Sequence, residues 1–310
     1  MANSLIWGRG VSHNMIKASR PGRVITRFGS QVLVEDGDGH VHRCTPRRRL
    51  EHVVCNDAVS WHPESSGDGV VTEVHPRSNL LERVDPRGQR KNIAANVDQV
   101  VVVTAAAPAP SWPLVDRYLV AIEGMPARAL ILYNKADRPD PDPESTLAAL
   151  TGYQALGYPV LKTSVADGRG MEALGDFLAQ GTSVLVGQSG VGKSSLIQAL
   201  LPDLDIRIGA LSELSGEGRH TTTNATVYRL PCGGALIDSP GVRDFSPGPT
   251  PQRELAQGFV EFRTLAPACR FHNCTHTVEP GCAVKAALEQ GQIDPRRYAS
   301  YCTLLEAAQV

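Results

Sequence analysis

The 310-residue chain predicts a multidomain α/β protein: a small N-terminal β-barrel, a central phosphate-loop domain with its motifs in rotated order, and a C-terminal metal-binding helical unit. Three observations predict it. Gly187-Gln188-Ser189-Gly190-Val191-Gly192-Lys193-Ser194 fits G-x-x-x-x-G-K-[ST]. Asn134-Lys135-Ala136-Asp137, a second nucleotide motif, stands about fifty residues upstream of it. Cys269, Cys274, His276 and Cys282 fall within fourteen residues, a spacing that suits one metal ion. The expected divisions are residues 1–92, 93–248 and 249–310.

The barrel rests on short strand patterns. Gly22 to Glu35 alternates apolar and polar residues, and strand-like pieces recur at Val41 to Cys44, Ala58 to His62 and Gly69 to Glu73, between Gly, Asp, Ser and Pro turns. Residues 1–92 hold 14 Lys and Arg against 10 Asp and Glu, and the remainder 17 against 22, so a total of −1 hides an asymmetric chain. Arg47-Arg48-Arg49 and Arg83, Arg87, Arg90, Lys91 are basic clusters suited to tracking a nucleic-acid backbone or to forming a solvated face. Few aromatics accompany them, so shape or phosphate recognition is favoured over base stacking. Residues 1–19 match no element.

From Val97 to Gly241 the pattern is α/β. Strands are expected at Gln99 to Thr104, Arg128 to Tyr133, Pro159 to Thr163, Ser183 to Val186, Ala225 to Leu230 and Ala235 to Asp238. Helices are expected at Leu114 to Glu123, Glu144 to Leu156, Gly170 to Ala179 and Lys193 to Leu201. A ligand then sits at the carboxyl ends of the strands.

The motifs supply the chemistry. Gly187, Gly190 and Gly192 let the backbone turn so that successive N–H groups point at phosphate oxygens, and the following helix, entered at Ser195, adds its positive N-terminus. Lys193 is placed to reach the β- and γ-phosphates, and the Ser194 hydroxyl to ligate Mg²⁺. Asn134-Lys135-Ala136-Asp137 follows a buried strand and suits guanine, because Asp137 can accept from the ring N–H and the exocyclic amine while the Lys135 stem lies over the ring. Adenine presents Asp137 with the opposite pattern. Thr163-Ser164 sits where a second guanine-side loop belongs. Asp238-Ser239-Pro240-Gly241 ends a strand, where Asp238 could hold Mg²⁺ through water and the Gly241 N–H could sense the γ-phosphate. Thr222 and Thr223, in a Gly, Arg and His-rich loop, offer a hydroxyl to the same ion.

The motif order is the anomaly. Ras-like GTPases place the phosphate loop first and Asn-Lys-x-Asp late, whereas here Asn134 to Asp137 and Thr163-Ser164 precede Gly187, as in a circularly permuted domain. Such a cut preserves the core, because domain termini often lie close together. It also joins whatever follows Gly241 almost directly to the segment that responds to the γ-phosphate.

Cys269-x4-Cys274-x-His276-x5-Cys282 offers three thiolates and one imidazole, enough for a closed tetrahedral zinc site with a structural role; His272 competes for the nitrogen position. Cys44, Cys55, Cys232 and Cys302 have no partner at ligand spacing and are expected to be buried. No apolar run approaches the roughly 20 residues of a membrane span and no signal-peptide core is present, so a cytoplasmic protein without membrane contact is expected.

These motifs, with Gly218 to Thr223 (Gly-Arg-His-Thr-Thr-Thr) and Asn92 to Asp98 (Asn-Ile-Ala-Ala-Asn-Val-Asp), resemble the bacterial small-ribosomal-subunit biogenesis GTPases of the RsgA (YjeQ) family from about residue 20 onward. The resemblance implies an N-terminal OB-fold that binds rRNA, a permuted G domain, a zinc domain, and hydrolysis of GTP to GDP stimulated by the 30S subunit during its late maturation. It also implies a monomer that takes Mg²⁺ with its GTP and one structural Zn²⁺. Ras-like enzymes position water with a Gln after the Asp-x-x-Gly glycine. Val242 stands there, so His220, beside the switch threonines, is the expected catalytic group. Gly190, where some potassium-using GTPases carry Asn, leaves the monovalent cation open. Two rivals stand beside this reading: a small-molecule kinase, in which Asn134, Asp137 and Gly241 have no role, and an RNA-binding protein with a vestigial nucleotide site, although every nucleotide motif is intact.

Overall fold

The computed structural model of the chain describes residues 19–50, 52–65, 67–84, 90–215, 224–239 and 251–308. Its first five strands are β1 Arg20–Phe28, β2 Gln31–Glu35, β3 Val41–Pro46, β4 Ala58–Pro63 and β5 Gly69–Val74. They pair in the order β1-β2-β3-β5-β4, and β4 returns to β1, which closes the barrel. Its core gathers Val24, Val32, Val34, Cys44, Val59, Val71 and the fully enclosed Trp61. Trp61 leaves no room for a side chain on two strands: a Cβ on Gly22 would press into Val34, and one on Gly69 would lie 2.6 Å from Cys44 Sγ and 2.8 Å from the indole.

A hairpin that the basic residues conceal in the sequence, β6 Leu80–Val84 and β7 Arg90–Ala95, leads from the barrel to the central sheet. That sheet comprises β8 Gln99–Ala105, β9 Arg128–Asn134, β10 Val160–Lys162, β11 Thr182–Gly187, β12 Thr226–Arg229 and β13 Ala235–Asp238. The strand order is β10-β9-β8-β11-β13-β12, parallel except for the edge strand β12. Every residue of β8 is buried, because helices cover both faces of a parallel sheet, and its Val run reflects that.

The covering helices are α1 Trp112–Glu123, α2 Pro143–Ala155, α3 Met171–Leu178, α4 Lys193–Leu200 and α5 Leu204–Ser215. Local chemistry fixes their starts. Asp142 caps α2 by accepting from Ser145 N at 3.2 Å, and prolines stand in the first turns of α1 and α2. The sequence reading stops at Leu201 and misses α5, whose Ile206 points into solvent at 74% exposure and so breaks any apolar stripe.

The C-terminal unit holds α6 Gln252–Gly258, α7 Val260–Arg263, a 3-10 turn at Ala266–Ala268, α8 Ala283–Glu289 and α9 Pro295–Ala308. Phe259, Phe262 and Tyr301 form its aromatic centre, with ring centroids 5.0–5.4 Å apart. Val120 of α1 joins this cluster, and a Cβ on Gly258 would lie 2.6 Å from Val120 Cγ1, so α6 rides directly on α1. Ions complete the joint. The guanidinium of Arg297, fully enclosed, donates from Nη1 to Asp116 Oδ1 at 2.7 Å and from Nε and Nη2 to Glu261 at 2.8 Å each. Burial opposes that charge, but the Glu261 hydrogen bonds and the Asp116 carboxylate outweigh it and hold Arg297 above its ordinary pKa.

The barrel meets the opposite edge of the sheet. A bulge between Val24 and Thr26 turns Ile25 out of the barrel, and Ile25, Phe28, Leu33 and Cys55 pack into the same cluster as Val227 and Ile237. Asn56 Nδ2 donates to Ala95 O at 2.8 Å and Asn96 O at 2.9 Å, which fixes the hairpin's exit. Cys44 and Cys55 are buried as expected, whereas Cys232 lies exposed in the β12–β13 turn and Cys302 is half-buried on α9, which corrects the expectation for those two. Among the described residues no helix is long and apolar enough to cross a membrane.

Candidate functional site

Four strand ends converge on one edge of the sheet. β11 ends at Gly187 and opens the loop to α4, β9 ends at Asn134, β10 runs into Thr163, and β13 ends at Asp238. The loop's glycines serve backbone geometry: Gly190 and Gly192 have φ of 81° and 97°, and a Cβ on Gly187 would collide with Val103 O. Val191 is buried, while Ser189, Gly190, Ser194 and Ser195 are exposed at the mouth and Gln188 is half-buried. The ammonium of Lys193 lies within the loop, donating to Gly187 O at 2.6 Å and Gln188 O at 2.9 Å.

The two nucleotide motifs, reversed in chain order, are stitched side by side. Asn134, 2% exposed, donates from Nδ2 to Val191 O at 2.9 Å and accepts at Oδ1 from the Thr163 hydroxyl at 3.2 Å. A Cβ on Gly192 would stand 2.5 Å from Asn134 Nδ2, so the glycine is required for this contact as well as for its dihedral. Lys135, in the left-handed region at φ 59°, stretches across the loop and donates to Ala107 O at 2.7 Å and Gly190 O at 2.6 Å. Ala136 N donates to Thr163 O at 3.0 Å, and Asp137 is exposed beside it. Thr163 and Ser164 are fully buried and shape this corner from beneath.

Sequence reasoning missed two contributors. Arg169 donates from Nη1 to Ala136 O at 3.1 Å, and the Ala107–Pro108 segment after β8 supports Lys135 and Gly190. Neither carries a motif, since both act through backbone carbonyls or packing. Gly241, Thr222, Thr223 and His220 lie outside the described residues, as do Gly218 to Thr221 and Arg87.

The metal candidate is a separate centre. The ligand atoms of Cys269, Cys274, His276 and Cys282 all lie within 4.8 Å of one another. His276 Nδ1 is 3.6 Å from both Cys269 Sγ and Cys282 Sγ, and those sulfurs are 4.0 Å apart. Metal–sulfur bonds of about 2.3 Å in a tetrahedron set sulfurs about 3.8 Å apart, so the set fits such an ion. His272 is exposed and lines a cleft of about 1570 Å³ between α1, the hairpin and the C-terminal unit; among the described residues, none of the nucleotide motifs lines it.

The surroundings suit a cation. Burial, then the neighbouring sulfurs, push the Cys274 thiol up to about 12, and a bound divalent ion is what would stabilise the thiolate. Ala283 N donates to Cys269 Sγ at 3.4 Å and Lys285 N to Cys282 Sγ at 3.5 Å, so the start of α8 directs N–H groups at two ligands. Glu279 holds the histidine's turn by accepting from Thr275 N at 2.7 Å, Thr275 Oγ1 at 2.6 Å and Thr277 N at 3.2 Å. Burial opposes its ionisation, yet those hydrogen bonds bring its pKa down to about 2. Tyr298 and Tyr301 of α9 donate to His276 O and Thr275 O, each at 2.7 Å.

The chain is similar to proteins of known family. The family model described as RsgA GTPase matches residues 74–247. The small ribosomal subunit biogenesis GTPase RsgA of Ectopseudomonas mendocina is 50% identical over 289 residues, covering 92% of this chain and 84% of that protein. Its namesake from Pseudomonas aeruginosa is 48% identical over 285 residues, with the same coverages. The crystal structure of YjeQ from Thermotoga maritima superposes with a TM-score of 0.78 at 32% identity, covering 94% of this chain and 99% of that one. YloQ, described as a circularly permuted GTPase, gives 0.75 at 28% identity, covering 97% and 98%.

Proposed function

Because the chain belongs to the RsgA GTPase family, we propose that it hydrolyses GTP to GDP and phosphate during late maturation of the small (30S) ribosomal subunit, which stimulates the reaction. It is a GTP hydrolase with a permuted G domain between an OB-type barrel and a C-terminal cysteine and histidine unit. The observation that carries the site assignment is the Asn134–Val191 bond at 2.9 Å, which joins a base-selecting motif to a phosphate loop across 57 residues.

In this reading, residues 187–195 bind the phosphates, with Lys193 exchanging its carbonyl partners for β- and γ-oxygens. Asp137 accepts from the guanine N–H and amine, and Asn134, Lys135, Ala136, Thr163 and Ser164 hold that corner. Magnesium would be held with GTP by the Ser194 hydroxyl, by a hydroxyl of Thr222 or Thr223 and, through water, by Asp238, and would supply positive charge to the phosphates. The Gly241 N–H senses the γ-phosphate. A water held by His220 attacks the γ-phosphorus in line, its proton passes to the imidazole, and the electrons of the breaking bond leave on GDP.

Cys269, Cys274, His276 and Cys282 hold one structural zinc, favoured by the sulfur-rich set and its spacings. The exposed Arg47, Arg48 and Arg49, on the turn after β3, and the hairpin's Arg90 and Lys91 contact rRNA phosphates. The protein acts as a cytoplasmic monomer, with units at residues 1–92, 93–248 and 249–310.

Phosphate release from GTP and from ATP, with and without small subunits, tests the reading; equal use of ATP would refute guanine selection. Asp137→Asn is expected to weaken GTP binding by about 2 kcal/mol, the scale of an unpaired buried polar group. His220→Ala should abolish the stimulated turnover with little loss of GTP affinity, and retention of full stimulation would shift the role to rRNA or a bound ion.

A further inference from the structure

Three hydrogen-bonded side-chain contacts between barrel strands β1 and β2 and the central sheet, among the described residues, differ in what they reach. Arg229 pairs with Glu35 at 2.7 and 2.8 Å on the surface, where its side chain is 62% exposed and the pair is screened. Arg23 donates to Thr182 Oγ1 at 3.2 Å, at the start of β11, the end of that strand remote from the phosphate loop. Thr26 is different. It is 8% exposed, and its hydroxyl donates to Ala225 O at 2.9 Å and accepts from the Thr226 hydroxyl at 3.2 Å.

The ladder gives this contact its meaning. Thr26 is opposite Thr226, and Thr226 is opposite Asp238, so barrel, edge strand and magnesium-site strand lie in register across three strands. At about 4.8 Å per strand, the Asp238 backbone is about 10 Å from Thr26. Ala225 follows the switch threonines Thr222 and Thr223 by two residues or three. Thr26 reaches this place because of the bulge between Val24 and Thr26, which sends Ile25 into the shared core and aims the hydroxyl at β12. With both hydrogen-bonding capacities used inside a buried contact, the hydroxyl cannot shift without leaving Ala225 O or Thr226 Oγ1 without this partner.

We propose that Thr26 is the positioning residue through which the barrel, when it binds the small subunit, sets Ala225 and the β12 strand, which closely follow the switch threonines in the chain, for hydrolysis. The inference rests on the function proposed above and adds the route of its stimulation. Coupling of this kind is reciprocal: if subunit binding promotes the GTP-bound arrangement through Thr26, GTP promotes subunit binding through the same hydroxyl.

The test compares full-length wild type, Thr26→Val, Thr26→Ala, Thr26→Ser and Glu35→Gln. Thr26→Val and Thr26→Ala are expected to lower subunit-stimulated kcat at least about five-fold, with KM for GTP and intrinsic turnover held within about two-fold. Thr26→Ser, which keeps the hydroxyl, restores stimulation, and Glu35→Gln leaves it intact. The preference of the protein for small subunits with a non-hydrolysable GTP analogue over GDP falls in the same two variants. Full stimulation in Thr26→Val, or a Thr26→Ser variant as impaired as Thr26→Val, overturns the inference while the proposed function stands. A wild-type protein that small subunits do not stimulate overturns both.

Discussion

The barrel and the C-terminal unit hold the central domain at two places by different chemistry. On the barrel side the contact continues a β-ladder, with neutral hydroxyls at Thr26 and Thr226 and an apolar patch around Ile25 and Phe28. On the C-terminal side the contact is ionic and enclosed: Arg297 between Asp116 and Glu261, with Tyr153 OH donating to Asp116 Oδ1 at 2.6 Å. A neutral hydrogen bond contributes about 1 kcal/mol and exchanges readily, whereas a buried charge deprived of its partner costs several. The joint beside Asp238 is therefore the adaptable one. The joint on α1 is set once and kept.

The sharpest way to break the comparison is at the proposed metal site. Chelation, or Cys274→Ala, is expected to remove on the order of 10 kcal/mol from the C-terminal unit, unfolding α8 and α9 while the barrel and GTP binding persist. Circular dichroism alongside GTP titration reads this out; affinity that vanishes with the metal would mean the unit is not separable. Next in size, Asp116→Ala leaves Arg297 with one anion fewer and should cost about 3–5 kcal/mol in urea unfolding. Adding Arg297→Met to that variant should recover part of the loss, and strictly additive costs would show that the two residues are not coupled. The smallest effect belongs to the barrel's surface pair: Glu35→Gln should cost less than about 1 kcal/mol and fade with added salt. A loss as large as that of Asp116→Ala would erase the distinction between the joints.

Much of this was legible in the sequence because the decisive signals were local. The Val run of β8, the glycines at 187, 190 and 192 and the Asn-Lys-Ala-Asp run each answer to one strand or one turn. What escaped depended on distant partners. Nothing near Thr26 marks it as facing Thr226, 200 residues away, and Arg297 resembles any basic residue in a helix until Asp116 is opposite it. The choice of His276 over His272 follows from the turn that Glu279 holds, with His276 at φ 60°, and spacing alone left both open. β6 and β7 were hidden because the hairpin buries Leu81, Ala94 and Ala95 while Arg90 and Lys91 lie exposed, a pattern with no regular apolar alternation to display.

The seating of β1 against β12 has a further consequence, for solubility. β12 ends the central sheet, and a terminal strand with bare N–H and C=O groups is a template for pairing with another molecule. The barrel shields it and also covers Val227 and Ile237. A fragment trimmed to begin at residue 93 is therefore expected to self-associate, which light scattering across a dilution series would reveal. Lost turnover in such a fragment would then report clumping as much as any missing contact with RNA.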